Sequence, residues 1–372
     1  MFLKQLSLIN FKNYRESALV FSPGINCFTG ANGAGKTNLL DALHYLSFCK
    51  SFFNPVDSQN IFFEQDFFVV EGNYVLNGEE TKIYCGQKRN QKKQFRKNKK
   101  EYERLADHIG LIPLVMISPA DSEMLNGGSE ERRKFLDSVI AQYDRSYLED
   151  LLQYNRALAQ RNSLLKQMNA SRSRDISLLE PWDLQMAEPG ERIHAKRKDF
   201  LEAFIPVFKW FYAFLSEEKE DAGLDYSSKL GVAPFEKILK EHVDRDLSLS
   251  YTGAGIHKDD LDLTLDGHSA KKFGSQGQQK SLLIALRLAQ YRFIRDKKSM
   301  NPILLLDDIA AKLDEARLKK LVALMSGKEF GQVFITDTSN ERMKQLFGGT
   351  QLEPVLFEIK NGKAEVQEHV GA

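Results

Sequence analysis

Cysteine is scarce in this chain: Cys27, Cys49 and Cys85 are the only three in 372 residues. They are odd in number and lack Cys-x-x-Cys spacing, which argues against a disulfide framework and a thiolate zinc site. Net charge is equally scant. The 52 Lys and Arg residues face 51 Asp and Glu, for +1 overall, so bulk charge names no partner and any nucleic-acid surface must be a local patch. Long apolar runs are missing too. The most apolar stretch, residues 204–215, is about half the ~20 residues a membrane span needs, and it carries Lys209. The N-terminal residues 1–11 are broken by Lys4, Gln5 and Asn10 and do not read as a secretory signal. A soluble protein of the reducing cytoplasm is expected.

What is present is patterned. A length of 372 residues is enough for two or three compact units, each with its own core, and 42% hydrophobic residues exclude wholesale disorder. Residues 2–11 alternate like a strand, a second strand is expected at 24–29 and a helix at about 35–47. Residues 61–85 read as strands joined by a hairpin turn at Asn77-Gly78. Ser129 reads as an N-cap, with Glu130 and Glu131 in the first turn of a helical region. That region runs to about Leu215, broken at 170–175, Pro181 and Pro189. Tyr147, Leu151, Tyr154, Leu158, Arg161, Leu165 and Met168, mostly apolar, fall at helical spacing, as one arm of a helical hairpin whose return arm is about 191–215. Strand character resumes at 247–265, and the remainder is α/β. The expected fold class is α/β: a head built from residues 1–128 and 241–372, with a helical insertion at 129–240.

Gly30-Ala31-Asn32-Gly33-Ala34-Gly35-Lys36-Thr37 fits the phosphate-loop pattern G-x-x-x-x-G-K-S/T. Glycines let backbone N–H groups curl around phosphate oxygens, and the helix that begins here turns its positive end to the same anion. Lys36 is expected to reach the β- and γ-phosphates and Thr37 to hold Mg²⁺. A strand before the motif and an apolar helix after it separate this reading from a chance match.

Ile303-Leu304-Leu305-Leu306-Asp307-Asp308 is an apolar run ending in two carboxylates, as a buried parallel strand would be written. By itself it is equally a core strand with a polar end. Beside a phosphate loop, Asp307 is expected to orient Mg²⁺ and Asp308 to polarise the attacking water. Between the two lies Ser275-Gln276-Gly277-Gln278-Gln279, opening a helix at 281–296. Alone this is an N-capped helix. The order phosphate loop, Ser-x-Gly-Gln turn, carboxylate strand resembles ABC-type ATPases. There Ser275, Gly277 and Gln278 would occupy the signature that meets nucleotide bound to the opposite subunit. Ala311-Lys312-Leu313-Asp314 falls at the D-loop. Thr336 ends a strand where a γ-phosphate sensor is expected, although Thr338 and Glu341 also match a simple capping box.

Eight basic residues and no acidic ones lie between Lys88 and Lys100: Lys88, Arg89, Lys92, Lys93, Arg96, Lys97, Lys99 and Lys100. Such a strip can neutralise DNA phosphates; equally, charge blunts the edge of a sheet. No helix-turn-helix or zinc-finger pattern points to sequence-specific reading.

Across nearly its whole length the chain resembles the bacterial RecF family. The resemblance rests on Asn10-Phe11-Lys12-Asn13-Tyr14, the phosphate loop, residues 128–137 (Gly-Ser-Glu-Glu-Arg-Arg-Lys-Phe-Leu-Asp), residues 255–261 (Gly-Ile-His-Lys-Asp-Asp-Leu), the signature and the carboxylate strand. It implies a slow, DNA-stimulated ATPase using ATP and Mg²⁺ that dimerises on ATP. It also implies binding to duplex DNA and single/double-strand junctions near gaps. Recombinase loading with mediators such as RecR and RecO would follow, in gap repair, replication restart and the SOS response. Two departures stand out: Ile256-His257-Lys258 replaces the family's Pro-His-Arg, and Ala311-Lys312 replaces Ser-Glu in the D-loop. The rival readings are an ABC subunit serving a transporter and an ATPase associated with a nuclease.

Overall fold

The computed structural model describes residues 1–216, 220–309, 314–327 and 329–369. They divide into two compact units, Met1–Asp121 with Leu283–Ala372, and Ser122–Leu282. Among the described residues no helix is long and apolar enough to cross a membrane.

The first unit is built on two six-stranded sheets. One has the order Lys363–His369, Val355–Lys360, Ile25–Thr29, Val333–Asp337, Ile303–Leu306, Leu114–Ile117. All its neighbours are parallel except the first pair. The middle strands are short apolar runs because both faces are covered. The second sheet is antiparallel, in the order Tyr14–Val20, Phe2–Phe11, Phe67–Leu76, Glu79–Lys88, Gln94–Lys97, Lys100–Glu101. Asn77 and Gly78 have φ of 52° and 86°, the left-handed pair that lets a two-residue turn match strand twist.

Helix Lys36–Phe48 touches strands of both sheets. That is why ten of its thirteen residues are buried: a helix covered on two sides needs no polar face. Gln332, 1% exposed, ties the sheets together. Its side chain accepts from the Leu3 N–H at 2.7 Å and donates to the carbonyls of Leu3 and Ser22 at 2.8 and 2.7 Å. A buried amide is tolerable because its bonds are made.

Two buried histidines add a pH dependence. The His108 Nε2–H donates to the Leu46 carbonyl at 2.6 Å, so Nδ1 accepts from the Tyr102 hydroxyl at 3.0 Å. His44 donates from Nδ1 to the Lys50 carbonyl. Burial pushes both rings down to about 4 from 6.5. The folded pKa lies below the unfolded one, so the unfolded chain binds more protons between pH 6.5 and 4, and stability falls across that window. Lowering the pH from 7 to 5 should cost on the order of 2 kcal/mol per histidine. Urea melts at the two pH values measure it; coincident midpoints would mean that the rings are not held neutral.

In the second unit, helix Arg145–Ser171 packs along Glu180–Ser216. The expected arm is there, but its partner begins earlier than 191. Pro181 and Pro189 do not break it: both lie within Glu180–Ser216. Pro181 is in the first turn, where a missing N–H is no loss, and Pro189 is buried. Ser129 is the first helical residue of Ser129–Ile140, with Gly128 as N-cap. The strand expected from Leu247 is instead a helix, Val243–Leu249, and strand begins at Asp260–Leu265. That strand pairs with Ala222–Ser227, which carries the unit past the expected boundary at 240, as far as Leu282.

Candidate functional site

Strand Ile25–Thr29 delivers the phosphate loop and helix Lys36–Phe48 leaves it. The loop needs glycine at its two ends. Gly30 has φ 146°, and a Cβ there would lie 2.3 Å from the Ile359 carbonyl oxygen; at Gly35, φ 118°, it would meet the Asn13 amide at 2.5 Å. The crest, Ala31 to Gly33, is exposed. From below, Asn13 Nδ2 donates to the Ala34 carbonyl at 3.0 Å and the Tyr14 hydroxyl to the Gly35 carbonyl at 3.0 Å. Asn38 Nδ2 donates to Asn13 Oδ1 at 2.8 Å. The sequence offered Asn13 and Tyr14 only as part of a resemblance; in the fold they buttress the loop.

The Lys36 Nζ donates to the carbonyls of Gly30 and Ala31 at 2.7 and 2.9 Å, which holds the amine at the mouth of the loop. Burial lowers its pKa, and Asp308, Asp307 and Asp337 oppose that shift. The Thr37 hydroxyl donates to Asp307 at 2.9 Å. Leu306 pairs with Ile335 in the parallel register, so one step outward Asp307 stands beside Thr336. The Thr336 hydroxyl donates to Asp307 Oδ1 at 2.9 Å and accepts from the Asp308 N–H at 2.8 Å. Thr336 therefore positions both carboxylate residues, a role its place in the sequence did not reveal. Asp308 adopts φ 50°, a left-handed conformation that Asp tolerates better than most residues.

Thr37 and Asp307 fit Mg²⁺. Both offer hard oxygen donors, already at hydrogen-bond distance, beside a loop shaped for phosphate, and Mg²⁺ characteristically takes one or two protein oxygens plus phosphate.

Ser275, Gly277 and Gln278 lie in the second unit. Ser275 and Gln278 form a reciprocal cap on helix Gln276–Lys298: Ser275 N–H to Gln278 Oε1 at 2.7 Å, Gln278 N–H to Ser275 Oγ at 3.3 Å. Gly277 lies in the helix's first turn. Ser275 and Gln276 are exposed. The expected D-loop residues Ala311, Lys312 and Leu313 lie outside the described residues; Asp314 caps helix Glu315–Met325. The cap expected from Thr338 is made by Ser339, one residue on.

The basic strip is not uniform. Lys88, Arg89, Lys92, Lys99 and Lys100 are exposed, whereas Arg96 and Lys97 are half-buried. Lys93 is taken up internally, with Nζ 2.8 Å from Asp57, 2.6 Å from the Cys49 carbonyl and 4.8 Å from the Tyr45 ring centroid. Phe95 is core, 1% exposed.

The motifs at 128–137 and 255–261 meet in the second unit as a charge network. Arg132 grips Asp260 through two bonds, at 2.7 and 3.0 Å. Arg133 reaches the Asp259 carbonyl at 2.7 Å, and Arg197 joins Asp137 and Asp259, both at 2.8 Å. His257 is structural: it lies between the Tyr154 hydroxyl (2.7 Å) and the Thr252 carbonyl (3.0 Å), and burial holds it down to about 4. Lys258 is exposed, over the Tyr251 ring at 4.7 Å.

Strand order and site define an ABC-type ATPase head of the kind found in SMC proteins. The family model described as RecF/RecN/SMC N terminal domain matches residues 2–355. The DNA replication and repair protein RecF of Bacteroides fragilis is 49% identical over 369 residues, 99% of each chain. That of Flavobacterium johnsoniae is 45% identical over 359 residues, 96% of this chain and all of that one. The recombination mediator protein RecF solved with ATP, from the RecFOR pathway, superposes with a TM-score of 0.89 at 30% identity, over 99% of this chain and 98% of that one. The Smc head domain of Pyrococcus furiosus shares the fold, with a TM-score of 0.56 at 19% identity over 98% of this chain and 96% of that one. The chain belongs to the RecF family.

Proposed function

We propose that this chain is a DNA-repair ATPase that closes as an ATP-bound dimer on DNA near single-strand gaps and opens on hydrolysis. One observation carries the reading: Lys36, Thr37, Asp307 and Asp308 converge at the strand ends, with Thr336 bonded to both carboxylate residues. The loop N–H groups of residues 30–37 and the Lys36 ammonium bind and orient the phosphates. Thr37 and Asp307 hold Mg²⁺, which neutralises charge on the transferring phosphoryl group when bound. Asp308 orients and polarises the water.

Names and ligands of the relatives support the same reading, since they are DNA replication and repair proteins and one was solved with ATP. Lys88, Arg89, Lys92, Lys99 and Lys100 supply phosphate contacts without base selectivity. A protein acting on chromosomal gaps would work in the cytoplasm, alongside mediators of the RecR and RecO kind.

In the dimer, Ser275 and Gly277 meet the γ-phosphate held by the other copy, through an isologous interface. Ultracentrifugation tests this. The wild type is expected to shift from monomer to dimer with ATP. Ser275→Arg should bind ATP, because its own phosphate loop is intact, yet stay monomeric. A variant that dimerises like the wild type removes the trans role of the signature.

A further inference from the structure

An exposed aromatic turn adjoins the basic strip. In the turn 62–65 the Gln65 N–H donates to the Phe62 carbonyl at 3.0 Å and Glu64 sits at φ 62°. Phe63, at the crest, is 80% exposed, and Phe67, just beyond, is 41% exposed. One bare ring on a surface is ordinary; its neighbours make this one different. The Arg89 N–H donates to the Asp66 carbonyl at 2.9 Å, and its Nε to the Gln65 carbonyl at 3.1 Å. Phe67 pairs across the ladder with Lys88. On the other flank the Arg15 guanidinium lies 5.4 Å from the Phe62 ring centroid. Rings among cations suit an unpaired nucleotide, whose base stacks while its phosphates are neutralised. Glu64 in the turn and Asp66 just after it, both exposed, repel phosphate but not an uncharged base. They therefore favour a base at the crest and a backbone along Lys88, Arg89 and Lys92.

The turn is also fastened to the phosphate loop by residues 10–15. On one side, the Lys12 N–H donates to the Asn60 carbonyl at 2.8 Å and the Phe62 N–H to the Asn10 carbonyl at 2.8 Å, with a bridge between Phe11 and Ile61. On the other, Asn13 and Tyr14 hold the carbonyls of Ala34 and Gly35. The hairpin thus touches the aromatic turn and the phosphate loop at once.

We propose that Phe63 is a stacking platform for an unpaired nucleotide at a DNA junction, and that the hairpin 10–15 links its occupancy to the phosphate loop. The proposal rests on the reading that the chain binds DNA. The test uses the full chain with ATP and a gapped duplex carrying 2-aminopurine at the first unpaired position, beside an intact duplex of the same sequence. With the wild type, the fluorescence should be quenched and gapped DNA preferred. Phe63→Ala should lose the quench, and its preference for gapped over intact duplex should fall about tenfold or more, the size of a lost base–aromatic stack. The gap-dependent rise in ATP turnover should fall with it. Phe63→Trp should restore all three. A combined Lys88, Arg89, Lys99 and Lys100 to Ala variant should instead weaken binding to both duplexes and flatten the salt dependence, by up to about 0.9 log units per lost phosphate contact. If the wild type binds DNA and Phe63→Ala keeps quench and gap preference, the platform is overturned and DNA binding stands. If Trp does not rescue, stacking is overturned. If the wild type binds neither duplex, both fall.

Discussion

Asp308→Asn should slow ATP turnover by ~10²–10⁴-fold, the usual contribution of a positioned base, while leaving nucleotide bound. The substitution is conservative where it matters for folding. Asn accepts the φ of 50° that Asp308 adopts, and its N–H can still donate to Thr336 Oγ1. Thr37 and Asp307 are untouched, so the oxygen donors proposed to hold Mg²⁺ remain. Lys36 loses one of three nearby carboxylates and keeps the others, so affinity for ATP should change modestly. What disappears is the carboxylate proposed above to polarise water. The dimer on gapped DNA should therefore outlive a chase with excess ADP far longer than the wild type's. Dimer lifetime and phosphate release measure the two halves of this expectation. A variant that turns over and dissociates like the wild type would show that another group is the base.

Arg197→Leu should destabilise the second unit by about 3–5 kcal/mol, the usual penalty for removing one partner of a buried ion pair. Arg197 is 1% exposed and donates to the Tyr147 hydroxyl, the Ile256 carbonyl, Asp259 and Asp137. Leucine fills part of the volume but leaves Asp259, itself 1% exposed, without a cation. Among the described residues one oxygen of Asp259 already lacks a partner, and the other would keep the Tyr226 hydroxyl but no cation. Adding Asp259→Asn should recover part of it by removing the orphaned charge. Chemical denaturation monitored at Trp182 and Trp210, both in this unit, reads the change. A cost below about 1 kcal/mol would mean that the network is dispensable.

Local signals made much of the head readable. A run of glycines before Lys36, a short apolar strand before Asp307 and an Asn-Gly hairpin each report on their own few residues, and each lies in the element expected. Other residues owe their role to distant partners. Thr336 acquires its task from the parallel register that sets it beside Asp307. Arg132, Asp137 and Asp260 stand in the sequence only as parts of a family resemblance; the fold closes Arg132 onto Asp260 and Arg197 onto Asp137 and Asp259. The basic strip misled in part because a charge run does not say which side of a strand is covered. Lys93 turned inward to Asp57 and Phe95 into the core. Pro189 reads as a helix breaker in isolation, but packing overrode the local preference.

Among the described residues, the strand that carries the phosphate loop is flanked by Val333–Asp337 and Val355–Lys360. Both are made late. A ribosome adding about 5–20 residues per second needs roughly 15–60 s to travel from Thr29 to Asp337, and through that interval Ile25–Thr29 has neither of its ladders. A nascent chain stopped before Val333 holds every residue of the G-x-x-x-x-G-K-T loop, and lacks both strands that flank the one leading into it.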